Sequence, residues 1–229
     1  MPTEPPPPPQ VSCAGLVKEY TTASGTVRAL KGIDASFPAG KVTAVVGPSG
    51  SGKSSLLRIL ACVDRPTAGT VRVGGVEVSA LRARGRRRVR RDLVGYVFQQ
   101  PADNLLPYLS ARGHLELAAG LRGRERPGEA ERLLDRLGLA GRAEHLPGQL
   151  SGGEQQRLAF AAAVAGGPAL VVADEPTAEL DRESGERLME SVLALRDAGC
   201  SLLVASHDPV VTRAADRVLR LHDGEVARW

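Results

Sequence analysis

The sequence predicts an α/β fold: a mostly parallel core sheet, an antiparallel β subdomain and an inserted α-helical subdomain. Three observations predict it. The apolar run Val42–Val46 and the stretches 170–173 and 201–205 fit strands buried on both faces, as a parallel sheet between helices requires. Residues 70–73 and 76–78 flank Gly74 and Gly75, a hairpin signature. Between Pro107 and Gly141 there is no β-branched residue, while Leu115, Leu117, Ala118 and Leu121, then Leu133, Leu134, Leu137 and Leu139, recur with a helical pattern.

The remaining elements follow in chain order. Residues 1–10 carry prolines at 5–9 and read as a disordered or polyproline II tail. A strand is expected over 11–17, with Tyr20 in a polar loop, and further strands over 26–30 and 33–37. Residues 54–61 read as a helix ended by the 65–69 turn. The segment 82–91 is a short helix or loop, and 93–98 a strand. Ser151 reads as a helix N-cap with Glu154 as its capping-box partner. Residues 184–197 form a helix, and 217–221 with 225–227 a closing hairpin around His222, Asp223 and Gly224. The expected division is a core of about 11–100 and 165–229, with the helical subdomain at about 101–164.

Composition bounds what the chain does. The length of 229 residues supports one core, and the hydrophobic fraction of 42% fits a globular chain. No run approaches the ~20 apolar residues that a spanning helix needs. Thirty Lys and Arg against 26 Asp and Glu leave a net charge of +4, which argues for neither nucleic acid nor a membrane surface. Arg82, Arg84, Arg86, Arg87, Arg88, Arg90 and Arg91 nevertheless crowd one stretch. Cys13, Cys62 and Cys200 are far apart among apolar neighbours, with neither metal-ligand nor disulfide spacing, and read as buried reduced thiols.

Gly47, Pro48, Ser49, Gly50, Ser51, Gly52, Lys53 and Ser54 fill every constrained position of the phosphate-binding loop, between a strand and a helix. The glycines let backbone amides turn toward an anion, and the helix start adds its dipole. Lys53 is placed to reach the β- and γ-phosphates of a nucleoside triphosphate, and Ser54 to ligate Mg²⁺. Asp174 ends a buried strand and is placed to hold Mg²⁺ through water. Glu175 follows it and can polarise an attacking water; two adjacent acids at a buried strand end are costly unless an ion or substrate uses them. Gln99 ends the strand 93–98 and can coordinate Mg²⁺ or its water, with Gln100 the competing assignment. His207 follows the strand 201–205, where a neutral imidazole can hydrogen-bond a γ-phosphate. His114, His145 and His222 take surface or packing roles.

With Leu150, Ser151, Gly152, Gly153, Glu154, Gln155, Gln156 and Arg157 between these two nucleotide motifs, residues 11–229 resemble the ATP-binding cassette (ABC) ATPases. Residues 47–54 are similar to Walker A, 170–175 to Walker B and 150–153 to the ABC signature. Gln99 matches the Q-loop glutamine and His207 the switch histidine. Residues 178–181, ending in Asp181, match the D-loop, though family members often carry Gly-Asn or Ser-Ala before the Leu-Asp pair. The resemblance implies a P-loop NTPase of ABC type with a RecA-like core, binding ATP and Mg²⁺. It implies Tyr20 as the aromatic on adenine and Ser55 beside the phosphate loop as a nucleotide contact. It also implies a head-to-tail homodimer with two ATP molecules between the subunits, in which Ser151, Gly152 and Gly153 contact the γ-phosphate held by the other subunit's Lys53.

Residues 96–99 (Tyr-Val-Phe-Gln) and 104–107 (Asn-Leu-Leu-Pro) resemble the lipoprotein-releasing, macrolide-export and cell-division subgroup. There Phe commonly precedes Asn-Leu-Leu-Pro, where this chain has Ala102 and Asp103. The subgroup implies a cytoplasmic ATPase, peripheral on the inner face of the membrane through a separate integral permease that docks on the loop after Gln99. The alternative is a non-transport ABC ATPase acting on nucleic acid or ribosomes, which only the 82–91 arginines favour.

Overall fold

The computed structural model describes residues 10–23 and 25–228. Except for Gln10, the expected proline-rich tail lies outside the described residues. The strands are β1 (Val11–Thr22), β2 (Gly25–Phe37), β3 (Val42–Val46), β4 (Ala68–Val73), β5 (Val76–Glu77), β6 (Val94–Val97), β7 (Leu170–Asp174), β8 (Leu202–Ala205), β9 (Arg217–His222) and β10 (Glu225–Arg228). The α-helices are α1 (Lys53–Leu60), α2 (Ala83–Leu93), α3 (Ala111–Arg122), α4 (Glu129–Arg136), α5 (Gly152–Val164), α6 (Arg182–Asp197) and α7 (Pro209–Ala214).

Two sheets result. A four-stranded antiparallel sheet has the order β2-β1-β4-β5, and a six-stranded sheet the order β10-β9-β3-β8-β7-β6. The five strands β9, β3, β8, β7 and β6 are parallel, and β10 closes one edge antiparallel to β9. The apolar runs are apolar on both faces for a reason. Val42, Ala44 and Val46 of β3 join the core beneath α3, α5 and α6, while Val45 joins the core shared with α1 and the antiparallel sheet. β7 and β8 divide the same way, with Val171 and Val204 on one side and Val172 and Leu203 on the other. Each fully buried Val or Leu contributes about 1.5–3 kcal/mol, so the apolar positions of these strands hold both cores together.

Two strand expectations change. The stretches 26–30 and 33–37 are one strand, β2, continued through Gly32 at φ 96°, and Tyr20 lies in β1 rather than in a loop. β1 and β2 pair along nearly their whole length, with register shifts between Cys13 and Leu16, Leu16 and Val17, and Lys18 and Glu19. These bulges break the period-2 alternation, so a continuous pairing reads as separate pieces. The 82–91 segment is helical, and α6 begins at Arg182, capped by Asp181, two residues before the expected start. Helix α7 carries no apolar periodicity and was not expected; Asp208 caps it and Pro209 opens it. Burial lifts the Cys13 thiol to about 12 and that of Cys62 to about 11, as inert packing thiols require.

The expected capping box forms. Ser151 Oγ accepts from the Glu154 N–H at 3.3 Å, and Glu154 Oε2 accepts from the Ser151 N–H at 2.8 Å. Arg142 donates to Glu154 at 2.9 Å. The Ser151 amide first and Arg142 second hold the Glu154 carboxyl at about 2, against an ordinary 4.5. The contribution to stability is therefore whole above pH 4.5 and is lost as pH falls toward 2. Glu154→Gln keeps a cap acceptor without titrating, so denaturant melts of this variant should flatten across that interval relative to wild type.

Candidate nucleotide site

Four parallel strands deliver their C-terminal ends to one edge of the sheet. β3 runs into the phosphate loop, β7 ends at Asp174 before Glu175, β8 leads to His207, and β6 leads to Gln99. Ligands bind at such carboxyl edges because helix starts and loop amides converge there. An open cavity of about 780 Å³ lies over this edge, walled by residues 47–55 with Ala29, Gln99, Glu175, Ala178 and His207.

The phosphate loop is shaped by close approach. Gly47 has φ 157°, and a Cβ there would lie 2.2 Å from the Leu221 carbonyl oxygen. Gly52, the residue before α1, has φ 97°, and its Cβ would meet the Ala29 carbonyl oxygen at 2.6 Å. Only glycine fits either position. The β9–β10 turn buttresses the loop, since the Gly224 amide donates to the Ser51 carbonyl at 3.1 Å. Lys31 fixes that turn by pairing with Asp223 at 2.6 Å.

The charged groups meet at the cavity floor. Lys53 Nζ donates to the Gly47 carbonyl at 2.8 Å and the Pro48 carbonyl at 3.2 Å, and lies 4.0 Å from Glu175 Oε1. Glu175 Oε2 accepts from the His207 N–H at 3.3 Å and lies 3.0 Å from His207 Nδ1. Glu175 itself sits at φ 46°, a left-handed conformation that costs a non-glycine residue about 1–3 kcal/mol. The Asp174 Oδ1 atom is buried without a hydrogen-bond partner. Burial raises the Asp174 pKa, opposed by Ser54. A buried carboxylate with a bare oxygen beside a serine hydroxyl, and Gln99 on the wall, is a hard-oxygen set that fits Mg²⁺.

Tyr20 is not among the cavity walls. Its hydroxyl lies 3.3 Å from Ser55 Oγ, a wall residue, and 3.4 Å from Asp64 Oδ2, and Lys18 Nζ sits 4.7 Å from its ring centroid. Asp64 is held by Arg58 through contacts of 2.9 and 3.2 Å. Ser151, Gly152, Gly153 and Asp181 also stand outside the walls. They lie together elsewhere: a Cβ on Gly153 would be 3.3 Å from Ser184, whose amide and hydroxyl both bond the Asp181 carboxylate at 2.9 Å. Two capped helix starts, those of α5 and α6, thus sit side by side, separate from the phosphate loop's own.

Sequence reasoning passed over the supporting roles of Asn104 and Asp64, while His114 takes the packing role expected of it, with a hydrogen-bonding part in addition. Asn104 Oδ1 accepts from the Phe98 N–H at 2.7 Å, and Asn104 Nδ2 donates to the Phe98 and Gln100 carbonyls at 3.1 and 2.9 Å, stapling the turn that carries Gln99. His114 is a buried brace: its Nε2 accepts from the Leu106 N–H at 2.8 Å, and its Nδ1 lies 2.8 Å from the Ser110 carbonyl. Burial lowers its pKa, in keeping with a neutral ring. For Asp64 the signal was local, a lone acid six residues after Arg58 at a helix end; that it reaches Tyr20 depends on β1 lying beside α1.

Known proteins resemble this chain in sequence and in fold. The family described as ABC transporter matches residues 30–178. The macrolide export ATP-binding/permease protein MacB of Shigella flexneri is 41% identical over 223 residues, 96% of this chain and 34% of its own length. MacB of Escherichia coli K12 is 42% identical over the same span. The chain thus spans about a third of the length of these curated relatives. Among solved structures, the ATP-binding cassette MJ0796, in a dimeric post-hydrolysis state bound to ADP and Pi, superposes with a TM-score of 0.82 at 36% identity, covering 95% of this chain and 97% of that one. The cbiO1 protein of Clostridium perfringens, part of the cbiONQ ABC transporter complex, gives 0.83 at 26% identity, covering 96% and 88%. Sequence, fold and the convergence of the nucleotide motifs on one sheet edge agree: the chain belongs to the ATP-binding cassette family of transporter ATPases.

Proposed function

We propose that two copies of this chain close head to tail on two ATP molecules, hydrolyse them, and drive a separate integral membrane permease of the exporter type. The supporting observation is the separation of the two anion-binding ends. Lys53, Glu175 and His207 meet in one cavity, whereas the α5 start at Ser151, Gly152 and Gly153 opens elsewhere. A second helix start dedicated to anions is redundant in a chain with a complete phosphate loop, unless it serves another copy's nucleotide.

In this reading the amides of residues 47–54 and Lys53 bind the phosphates. Ser54, Asp174 and Gln99 are the donors that would hold Mg²⁺, which when bound supplies positive charge against the phosphate oxygens. Glu175 accepts the proton of the attacking water and aligns it for in-line displacement. His207 holds the Glu175 carboxylate and the γ-phosphate, and the facing Ser151, Gly152 and Gly153 amides stabilise charge on the transferring group. The chain divides into a core of about 11–100 and 165–229 and a helical subdomain of about 101–164, the core carrying Lys53, Glu175 and His207 and the subdomain carrying Ser151, Gly152 and Gly153.

Tyr20 stacks on the adenine, with Asp64 as the residue that positions it. Asp64→Ala should raise the KM for ATP about 3- to 10-fold with little change in kcat, and Asp64→Asn should restore part of the loss. A fall in kcat without a KM change would remove Tyr20 from base binding.

The similarity to MacB supports the exporter-type partner, and among the described residues no helix is long and apolar enough to cross a membrane. The deciding experiment purifies the full chain with the integral membrane protein it retains, reconstitutes both in liposomes and measures ATP turnover. Turnover set by the membrane protein is expected. Turnover indifferent to any membrane protein, with salt-sensitive binding of DNA or RNA, would overturn the reading.

A further inference from the structure

Helix α5 opens on a run of polar side chains, Glu154, Gln155, Gln156 and Arg157. All but Gln156 are tied to the helical subdomain around them. Glu154 bonds the Ser151 amide and Arg142. Gln155 Nε2 donates to the Pro147 and Leu150 carbonyls at 3.0 and 3.1 Å, and Arg157 Nε donates to the Leu137 carbonyl at 3.1 Å. Gln156 is fully buried, at 0% exposure, and neither its Nε2 nor its Oε1 has a hydrogen-bond partner among the described residues. A buried primary amide without partners destabilises the arrangement that holds it, where an apolar side chain of the same volume would not.

The helix places Gln156 where the helical subdomain meets the core. One turn earlier, a Cβ on Gly153 would be 3.3 Å from Ser184 of α6. Two turns later, the Ala163 carbonyl presses so closely on β6 that a Cβ on Gly95 would collide with it. Residues 153, 156, 160 and 163 share one helix face, so Gln156 lies on the face turned to the core. Arg122 fixes the direction of α5. Its guanidinium donates to the Ala165 carbonyl at 2.8 Å and the Val94 carbonyl at 3.1 Å, which sets the end of α5 at the start of β6. The start of α5 therefore lies toward the carboxyl ends of the strands, where the turn after Glu175 leads into α6. The Ala178 amide closes that turn on the Glu175 carbonyl at 3.2 Å. Thr177 within it is buried, 5% exposed, and would stand 3.8 Å from a Cβ on Gly185. The unpaired amide thus sits between the helix start that carries Ser151 and the turn that carries Glu175.

Resting on the reading that two copies close on ATP, we infer that Gln156 is a positioning residue whose amide finds its partners only in the closed pair, on the backbone of the turn that follows Glu175. In that pair the α5 start carries the facing phosphate, a contact the single chain lacks, and α5 settles against the turn. The new hydrogen bonds hold Glu175 in its orientation while the phosphate is present. Unpaired, the amide penalises the open chain; paired, it favours the closed one. One side chain thereby widens the free-energy difference between the two states.

Gln156→Met and Gln156→Leu in the full chain keep the volume and remove the amide. Without nucleotide, either variant should melt about 2–4 °C higher than wild type, since an unpaired buried group is gone. Its kcat should fall about tenfold with the KM for ATP unchanged. Placed in the Glu175→Gln chain, the same substitutions should weaken the ATP-bound dimer about tenfold in a dilution series followed by light scattering. A side chain that merely filled the core would not move stability and dimer affinity in opposite directions. A lower melting temperature in both variants would show the amide already satisfied in the single chain and overturn the proposal. A raised melting temperature with unchanged kcat, or a Glu175→Gln dimer indifferent to the loss of the amide, would overturn it too and leave the closure reading standing. A Glu175→Gln chain that forms no dimer with Gln156 intact would instead overturn the closure reading, and the assignment with it.

Discussion

Glu175→Gln should lower kcat by about 10²- to 10⁴-fold while leaving nucleotide affinity nearly intact, and it should convert ATP from a transient to a lasting dimerising ligand. The carboxylate lies 3.0 Å from His207 Nδ1 and 4.0 Å from Lys53 Nζ, and the φ 46° backbone holds it there. Glutamine is nearly isosteric, so the strained turn and the His207 N–H contact persist while the proton acceptor is gone. Hydrolysis then no longer removes the γ-phosphate that joins the two copies, and the closed state accumulates. Light scattering of the variant with ATP and Mg²⁺ should report twice the monomer mass, against a mostly monomeric wild type once its ATP is spent. A variant that stays monomeric at saturating nucleotide would sink the composite-site mechanism.

The second large effect comes from mixing variants. Ser151→Arg removes the α5 cap, worth about 1 kcal/mol, and puts bulk and charge where the facing phosphate belongs. Loss of those donors should lower turnover about 10²- to 10³-fold without weakening ATP binding by the same chain, since Ser151 is not a wall of its own cavity. Mixing the Ser151→Arg chain with the Glu175→Gln chain should then restore hydrolysis. In a head-to-tail pair one of the two sites takes Glu175 from the first chain and Ser151 from the second, and both are wild type. A chain carrying both substitutions, mixed with wild type, has no intact site within the hybrid dimer. If Ser151 served its own chain's nucleotide, the two mixtures would rank the other way.

Much of this was legible before any coordinates. The phosphate loop depends on local backbone conformation, and its glycine spacing encodes it. The buried strands are short apolar runs because each faces two cores. The α5 cap is written in Ser151 and Glu154, three residues apart, within reach of one helical turn. What escaped was non-local. The β1–β2 pairing was split by bulges that disturb the alternation, which put Tyr20 in a loop. Helix α7 is six residues long and rests on its Asp208 cap and on Val211 packing into the core, so no periodicity announces it. Asn104 and His114 are polar side chains whose work is to satisfy backbone groups of one folded turn, and their neighbours in sequence do not say which groups those are.

The amino-acid sequence alone determined the class of this protein, because phosphate loop, signature and acidic strand end are contiguous motifs whose chemistry is set by residue type and spacing. Tertiary structure decided which of them work together. It brought Lys53, Glu175 and His207 to one cavity because the strand order β3-β8-β7 makes their ends neighbours. It set Ser151 beside Asp181, away from that cavity, because α5 packs on α6.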